Sequence, residues 1–100
     1  MKLIQQITAT TPNARSLGAD QATDWISSYL PAEASTLATI LSVSAAQETE
    51  TSVLEAQLHA ILELTSTGHV KAENITYLEE VSRESLPAEL DEYLQDLLED

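Results

Sequence analysis

The sequence contains no cysteine, which excludes a disulfide framework and a metal site built from thiolates. This absence fits a reducing compartment, and we expect the protein in the cytoplasm. The first six residues, MKLIQQ, hold no long apolar run, so we expect no signal peptide. No stretch approaches the roughly 20 apolar residues that a transmembrane helix needs, so we expect no contact with a membrane interior.

Glycine occurs only twice, and no segment alternates apolar and polar residues as a half-buried strand does. The apolar residues recur at helical spacing instead, and a chain of 100 residues predicts one domain over 1–100. We therefore predict an all-α fold, a compact bundle of five or six helices. The tetrapeptide LPAE occurs at 30–33 and at 86–89. This repeat leaves open a second arrangement, in which helical pairs stack as in HEAT-like arrays.

The segment 53–68 is predicted to be the central helix. Leu54, Leu58, Ile61, Leu62 and Thr65 form one apolar face, and a second apolar face is turned away from it. Only Glu55, His59 and Glu63 are assigned to a polar stripe. A helix that is apolar over most of its circumference packs on both sides, so we expect other helices on each flank. Gly68 is the predicted stop, because glycine tolerates the left-handed conformation.

Further helices are predicted over 1–10, 20–29, 31–44, 72–81 and from 86 onward, with breaks at 10–13 and at Leu17-Gly18. Thr51 or Ser52 is expected to cap the central helix. Eleven large apolar residues on the inner faces of these helices are predicted to be buried: Trp25, Leu37, Leu41, Leu54, Leu58, Ile61, Leu62, Leu78, Leu90, Leu94 and Leu97.

The sequence offers little for catalysis, because it has no Cys nucleophile, no glycine-rich phosphate loop and no G-x-S-x-G turn. His59 shares a helix face with Glu55 and Glu63, a spacing that could hold a metal or form an acid–base pair. One helix supplies too few ligands, so a partly exposed polar stripe is the preferred interpretation. His69 follows a helix end, where such residues contact the last carbonyls. We expect a protein that is not an enzyme and binds no metal or cofactor.

Basic residues are scarce, with four against 17 acids and a net charge of −13. The negative charge is distributed unevenly along the chain. Residues 1–47 hold three acids and two bases, a net of −1, whereas residues 48–100 hold fourteen acids and two bases, a net of −12. Such a surface repels nucleic acid and anionic membranes and attracts basic proteins. Solubility alone is the simpler explanation for this charge.

Seven of these acids form the predicted partner-binding surface. On the last helix, Glu89, Glu92, Asp96 and Glu99 fall on one stripe opposite the leucines, and Glu79, Glu80 and Glu84 precede them. Like charges at i+3 and i+4 repel by a few tenths of a kcal/mol per pair. Acids near a helix C-terminus also oppose the helix dipole. One interpretation is that the sequence accepts these costs in one region because the charge has a function. The other is that the acids form a solvated face, which merely tolerates the repulsion.

Three segments resemble small, acidic, all-helical immunity proteins encoded beside bacterial polymorphic and contact-dependent toxins. They are VLEAQLHAILELTSTGHV (53–70), ENITYLEEV (73–81) and SLPAELDEYLQDLLED (85–100), about half of the chain. The resemblance implies tight binding of one cognate protein toxin, without catalysis. The acidic surface suggests that this toxin is basic, such as a nuclease, and we expect a monomer that does not bind nucleic acid directly. The alternative is a small acidic helical adaptor or scaffold module with no inhibitory role.

Overall fold

The computed structural model of the chain describes residues 2–84 and 86–98, which are mainly helical and contain no strand. It contains five α-helices: α1 (Lys2–Ile7), α2 (Pro12–Asp24), α3 (Pro31–Gln47), α4 (Thr51–Ser66) and α5 (Ala88–Leu98). A short 3-10 helix (Ile26–Ser28) joins α2 to α3, and a longer one (Ala72–Glu80) lies between α4 and α5. The all-α prediction is confirmed. No helix in these residues is both long and apolar enough to cross a membrane.

Helix α4 is the central element, as its two apolar faces predict, and it packs against α2, α3 and α5. Leu62, predicted to be buried, is only partly buried, because on the helix it borders the exposed Glu55. The stop is confirmed, since Gly68 has a φ of +83° and its N–H donates to the Thr65 carbonyl at 3.1 Å. Side chains on both flanks of α4 are buried: Val53, Leu54, Gln57, Leu58, Ala60, Ile61 and Leu64.

Helix α2 differs from the prediction at both ends, and the predicted break at Leu17-Gly18 is wrong. The helix begins at Pro12, whose missing N–H has no partner in a first turn in any case. It continues through Gly18 to Asp24, instead of running over 20–29. Gly18 permits close packing: a Cβ there would lie 2.8 Å from the backbone nitrogen of Ile7. Glycine at this position therefore lets α1 lie directly against α2.

Trp25 is not a core residue, because its surface is 63% exposed. Helix α2 ends at Asp24, and Trp25 has φ −102° and ψ 18°, which are not helical values. The helical period that grouped Trp25 with Ala22 therefore does not continue to it. The inner face of α2 consists of small residues, Gly18, Ala19 and Ala22. Ile7, which was not among the predicted core residues, is fully buried. The remaining predicted core residues are buried: Leu37, Leu41, Leu54, Leu58, Ile61, Leu78, Leu90, Leu94 and Leu97.

Both LPAE segments lead into an α-helix, as predicted, and each follows a 3-10 helix. At the first, the Leu30 N–H donates to the Glu33 carboxylate at 2.8 Å, which satisfies a donor at the start of α3. The segment predicted as a helix over 72–81 is 3-10 and is interrupted at Ile75 (φ −118°, ψ 18°). The predicted cap of α4 is wrong, since Glu50 holds that position and no side chain caps it. Stacked helical pairs remain a prediction.

Candidate functional site

The outer face of α5 carries three of the predicted partner-binding acids. Glu89, Glu92 and Asp96 are exposed, while the leucines on the inner face are buried: Leu90, Leu94 and Leu97. The helix begins at Ala88 and keeps its regular period to Leu98. The three acids are therefore spaced by one helical turn along a single exposed stripe. Glu99, the fourth predicted member, lies outside the described residues.

The flanking group predicted for this surface is exposed as well. Glu79 and Glu80 end the long 3-10 helix, which packs against α5, and Glu84 lies in the connection that follows. Within residues 2–84 and 86–98, no hydrogen bond or ion pair links these three carboxylates to the α5 stripe or to any base. The six described acids are thus solvated charges. The fold places three of them on one helix face and three on the neighbouring segment.

The ion pairs of the two arginines in the described residues do not include Glu89, Glu92 or Asp96. The Arg83 Nε donates to the Asp91 Oδ1 at 2.6 Å, across the start of α5. That hydrogen bond lowers the pKa of Asp91, the acid of this helix that the predicted set omits. Both groups are partly exposed, so the pair contributes little to stability. The other arginine, Arg15, is held by Glu48 far along the chain.

Arg15, Glu48 and Gln57 form a polar network that the sequence did not reveal. Arg15 binds Glu48 through two parallel hydrogen bonds, Nε to Oε1 at 2.7 Å and Nη2 to Oε2 at 2.8 Å. The Gln57 amide also donates to Glu48 Oε1, at 3.0 Å. The Glu48 side chain is fully buried, whereas 18% of the Arg15 side chain is exposed. The network therefore connects α2, the turn before α4, and α4 itself.

The remaining groups of the network are satisfied with one exception. Glu48 Oε2 accepts the N–H groups of Thr49 and Glu50 at 3.2 Å, just before α4. Arg15 Nη1 donates to the carbonyls of Ala9 and Thr10, at 3.1 and 2.9 Å. The Gln57 Oε1 is buried without a hydrogen-bond partner among the described residues. Such an orphan acceptor costs free energy, so the network is not optimal for stability.

Two opposing effects set the pKa of Glu48. Burial disfavours its charged form, but the hydrogen bonds from Arg15 and from the backbone outweigh burial and hold the pKa below its usual value. The same hydrogen bond raises the pKa of Arg15. Both groups are therefore charged near neutral pH. Their sequence separation of 33 residues explains why no local pattern predicted the pair. Gln57, a polar residue within the buried face of α4, was the one available signal.

In the described residues, His59 contacts one acid and one tyrosine. The His59 Nε2 lies 3.8 Å from the Glu63 Oε1, and both side chains are more than 40% exposed. The Tyr93 hydroxyl contacts the His59 Nδ1 at 3.5 Å, with the two rings nearly perpendicular. His69 is exposed after the end of α4. In the described part of the chain, no group of three or more His, Cys, Asp or Glu is placed to hold a metal ion.

Comparisons with known protein families, with curated proteins and with solved structures find no match for this chain.

Proposed function

We propose that this protein is a non-catalytic immunity protein, which binds a cognate bacterial toxin through the acidic surface of its second half and neutralises it. The observation that carries the proposal is the α5 stripe, in which Glu89, Glu92 and Asp96 are exposed and unpaired within the described residues. A regular row of carboxylates on a helix fits a basic protein surface. The resemblance of residues 53–100 to small helical immunity proteins supports the same conclusion.

The toxin that best matches this surface is a nuclease with a basic groove. A groove that binds nucleic acid presents Lys and Arg side chains at the spacing of phosphates, and a row of carboxylates can occupy the same positions. With a net charge of −13, the protein would also attract such a partner over a distance and speed encounter at low salt. A stable complex of this kind would bury about 1,600 Å² in total.

The experiment uses the toxin-like reading frame expected immediately upstream of the gene. Co-expression of its toxic domain with the wild-type protein should restore growth of the bacterial host, and the purified proteins should form a complex. The variant Glu89→Gln/Glu92→Gln/Asp96→Asn should bind more slowly and lose much of the salt dependence of association. If one of these acids is buried against an Arg of the toxin, its loss should instead speed dissociation and cost about 2–5 kcal/mol.

The control is Glu50→Gln/Glu73→Gln, which removes two exposed acids elsewhere in the same acidic half, against three in the α5 variant. It should leave protection and association rate close to wild type at equal salt. An equal loss per removed charge in both variants would indicate that only total charge matters. Full protection by the α5 variant with unchanged kinetics would place the interface elsewhere. A protein that binds the upstream product without reducing its toxicity would be an adaptor, and the proposal would be wrong.

A further inference from the structure

The exposed apolar residues of this protein are concentrated in one short part of the chain. Four large apolar side chains in the described residues are prominently exposed, and three of them lie between residues 17 and 30: Leu17 (49%), Trp25 (63%) and Leu30 (66%). The fourth, Tyr77, belongs to the long 3-10 helix. Trp25 is the only tryptophan of the sequence. Tryptophan is strongly enriched among residues that dominate binding energy at protein interfaces.

Leu17 belongs to the outer side of α2. The buried residues Gly18, Ala19 and Ala22 define the inner side, which packs against α1 and α4. Leu17, Asp20 and Asp24 follow at spacings of three and four residues and are all exposed, so they share one face. The exposed Trp25 comes directly after Asp24, as the residue that ends the helix. The outer face of α2 therefore combines Leu17 with two carboxylates, and a second apolar anchor, Trp25, adjoins it at the helix end.

The backbone that carries the exposed indole is fixed by hydrogen bonds on both sides. The Trp25 N–H donates to the Gln21 carbonyl at 3.2 Å, and the Trp25 carbonyl accepts the Ser28 N–H at 2.9 Å. Trp25 therefore projects from a hydrogen-bonded helix end and its 3-10 continuation. An anchor on a fixed backbone loses little conformational entropy when it binds, which favours affinity. Leu30 follows across the same turn, five residues further along the chain.

The charges beside these anchors define the partner. Asp20 and Asp24 form no ion pair within residues 2–84 and 86–98. We propose that the outer face of α2, with Leu17 and Trp25 as anchors, binds a basic amphipathic segment of a partner protein, whose apolar side covers the indole while its Lys or Arg residues face Asp20 and Asp24. A second copy of the chain fits poorly, because each copy carries −13 and would bring the same acids. An anionic membrane is disfavoured for the same reason.

This surface is distinct from the α5 stripe and goes beyond the proposed function. Helix α4 packs against both α2 and α5, whereas those two helices make little contact with each other. The central helix therefore separates the two surfaces. Loss of toxin protection in the α5 variant and loss of binding at α2 are consequently independent results.

The single tryptophan makes the test direct, because all indole fluorescence comes from the proposed surface. The probe is a synthetic helical peptide with leucines on one face and lysines on the other. Two comparison peptides are an oligolysine of equal charge and a Leu/Glu peptide of the same pattern. The Leu/Lys peptide should cause a saturable blue shift of Trp25 emission and protect it from acrylamide quenching. Oligolysine can bind acids anywhere on the chain but should not bury the indole, and the Leu/Glu peptide should not bind.

Substitutions then locate the site. Leu17→Ser should weaken binding of the Leu/Lys peptide at least tenfold, roughly the effect of losing an interface anchor, while leaving the Trp25 reporter in place. Asp20→Asn/Asp24→Asn should weaken binding at low salt and flatten its salt dependence. The matched controls on another part of the molecule are Tyr77→Ser and Glu50→Gln/Glu73→Gln, which should bind as wild type.

Several results would overturn the inference. Binding of the Leu/Lys peptide with no change in Trp25 emission would place its site elsewhere. An equal response to all three peptides would remove the claim of a basic, amphipathic partner. A blue shift that grows with protein concentration alone would indicate self-association through this face. A blue shift with phosphatidylglycerol vesicles, but not with the peptide, would indicate a membrane surface instead.

Discussion

Replacing Arg15 with methionine should remove the only base that neutralises a fully buried carboxylate. The Glu48 side chain has no exposed surface, so its carboxylate stays buried when the guanidinium is lost. Breaking a buried ion pair by removing one partner costs about 3–5 kcal/mol. Because 18% of Arg15 is exposed and two backbone N–H groups still bond Glu48, we expect the lower end, about 3 kcal/mol. That is a large part of the roughly 5–15 kcal/mol that stabilises a typical domain.

The opposite deletion should be milder. In Glu48→Gln, the guanidinium of Arg15 keeps its hydrogen bonds to the carbonyls of Ala9 and Thr10 and can turn toward water. The new side-chain amide can still accept one hydrogen bond. We expect a loss of about 1–2 kcal/mol. The double variant Arg15→Met/Glu48→Gln should be more stable than Arg15→Met alone, because it no longer buries an uncompensated charge.

The pH dependence provides a second signature. The folded-state pKa of Glu48 lies below its unfolded value, so its stabilising contribution is present above the usual carboxyl pKa of about 4.3 and is lost as the pH falls through the folded pKa. In Arg15→Met the buried carboxyl should have a raised pKa, since burial then acts without the arginine. The cost of Arg15→Met should therefore be largest near neutral pH, begin to shrink as the pH falls through the raised pKa of the variant, and be smallest below the lowered pKa of Glu48 in the wild type.

All these free energies of unfolding can be measured by urea denaturation at pH 7 and in acid. The set comprises the wild type, both single variants and the double variant. A control is Arg83→Met, which breaks the partly exposed pair with Asp91 and should cost much less than Arg15→Met. A double variant less stable than Arg15→Met at neutral pH would refute the reasoning. So would a loss for Arg15→Met that is below about 1 kcal/mol or independent of pH.

Three further predictions concern the frame of the bundle. Leu58→Ala should cost about 2–5 kcal/mol in a denaturant melt, because Leu58 is fully buried at the centre of α4; a loss under about 1 kcal/mol would make this position peripheral. Gly18→Ala should lower the melting temperature, because its methyl group meets the backbone of Ile7; Gly68→Ala has open space and should cost about 1–2 kcal/mol from its positive φ alone. Trp25→Ala should change stability by less than about 1 kcal/mol in the same melts, since most of its side chain is already in water, and a larger loss would assign it a packing role.

The regular part of the fold could be predicted because the signal was local. In α4 and α5, leucines recur at the helical period over three or more turns, and burial follows that period. Gly68 was identified as a helix stop because the left-handed conformation is a property of glycine itself. The acids of α5 could be placed on the outer face by the same argument. Their exposure was thus predictable, whereas their role in binding stays a prediction.

The first half resisted prediction because its packing depends on small residues. A glycine can either end a helix or allow two helices to touch. The residues around Gly18 do not distinguish these two roles. Ala19 and Ala22 carry too little apolar area to mark the inner face of α2, so the helical spacing from Ala22 to Trp25, together with the size of the indole, assigned Trp25 to the core. The partnership of Arg15 with Glu48 depends on how α2 and the turn before α4 meet, which no periodicity encodes.

The long 3-10 helix shares its apolar spacing with an α-helix, so pattern alone could not distinguish them.

The close contact at Gly18 has a consequence for the stability of α1. A helix of six residues is too short to persist in water, since the nucleation cost exceeds what so few hydrogen bonds return. Helix α1 therefore holds its shape only while it is packed against α2 and α3. Detachment and melting become a single event for this segment, and the amide protons bonded within it, those of its last turn, should exchange with solvent together. Hydrogen exchange at these amides would then measure the free energy of that packing.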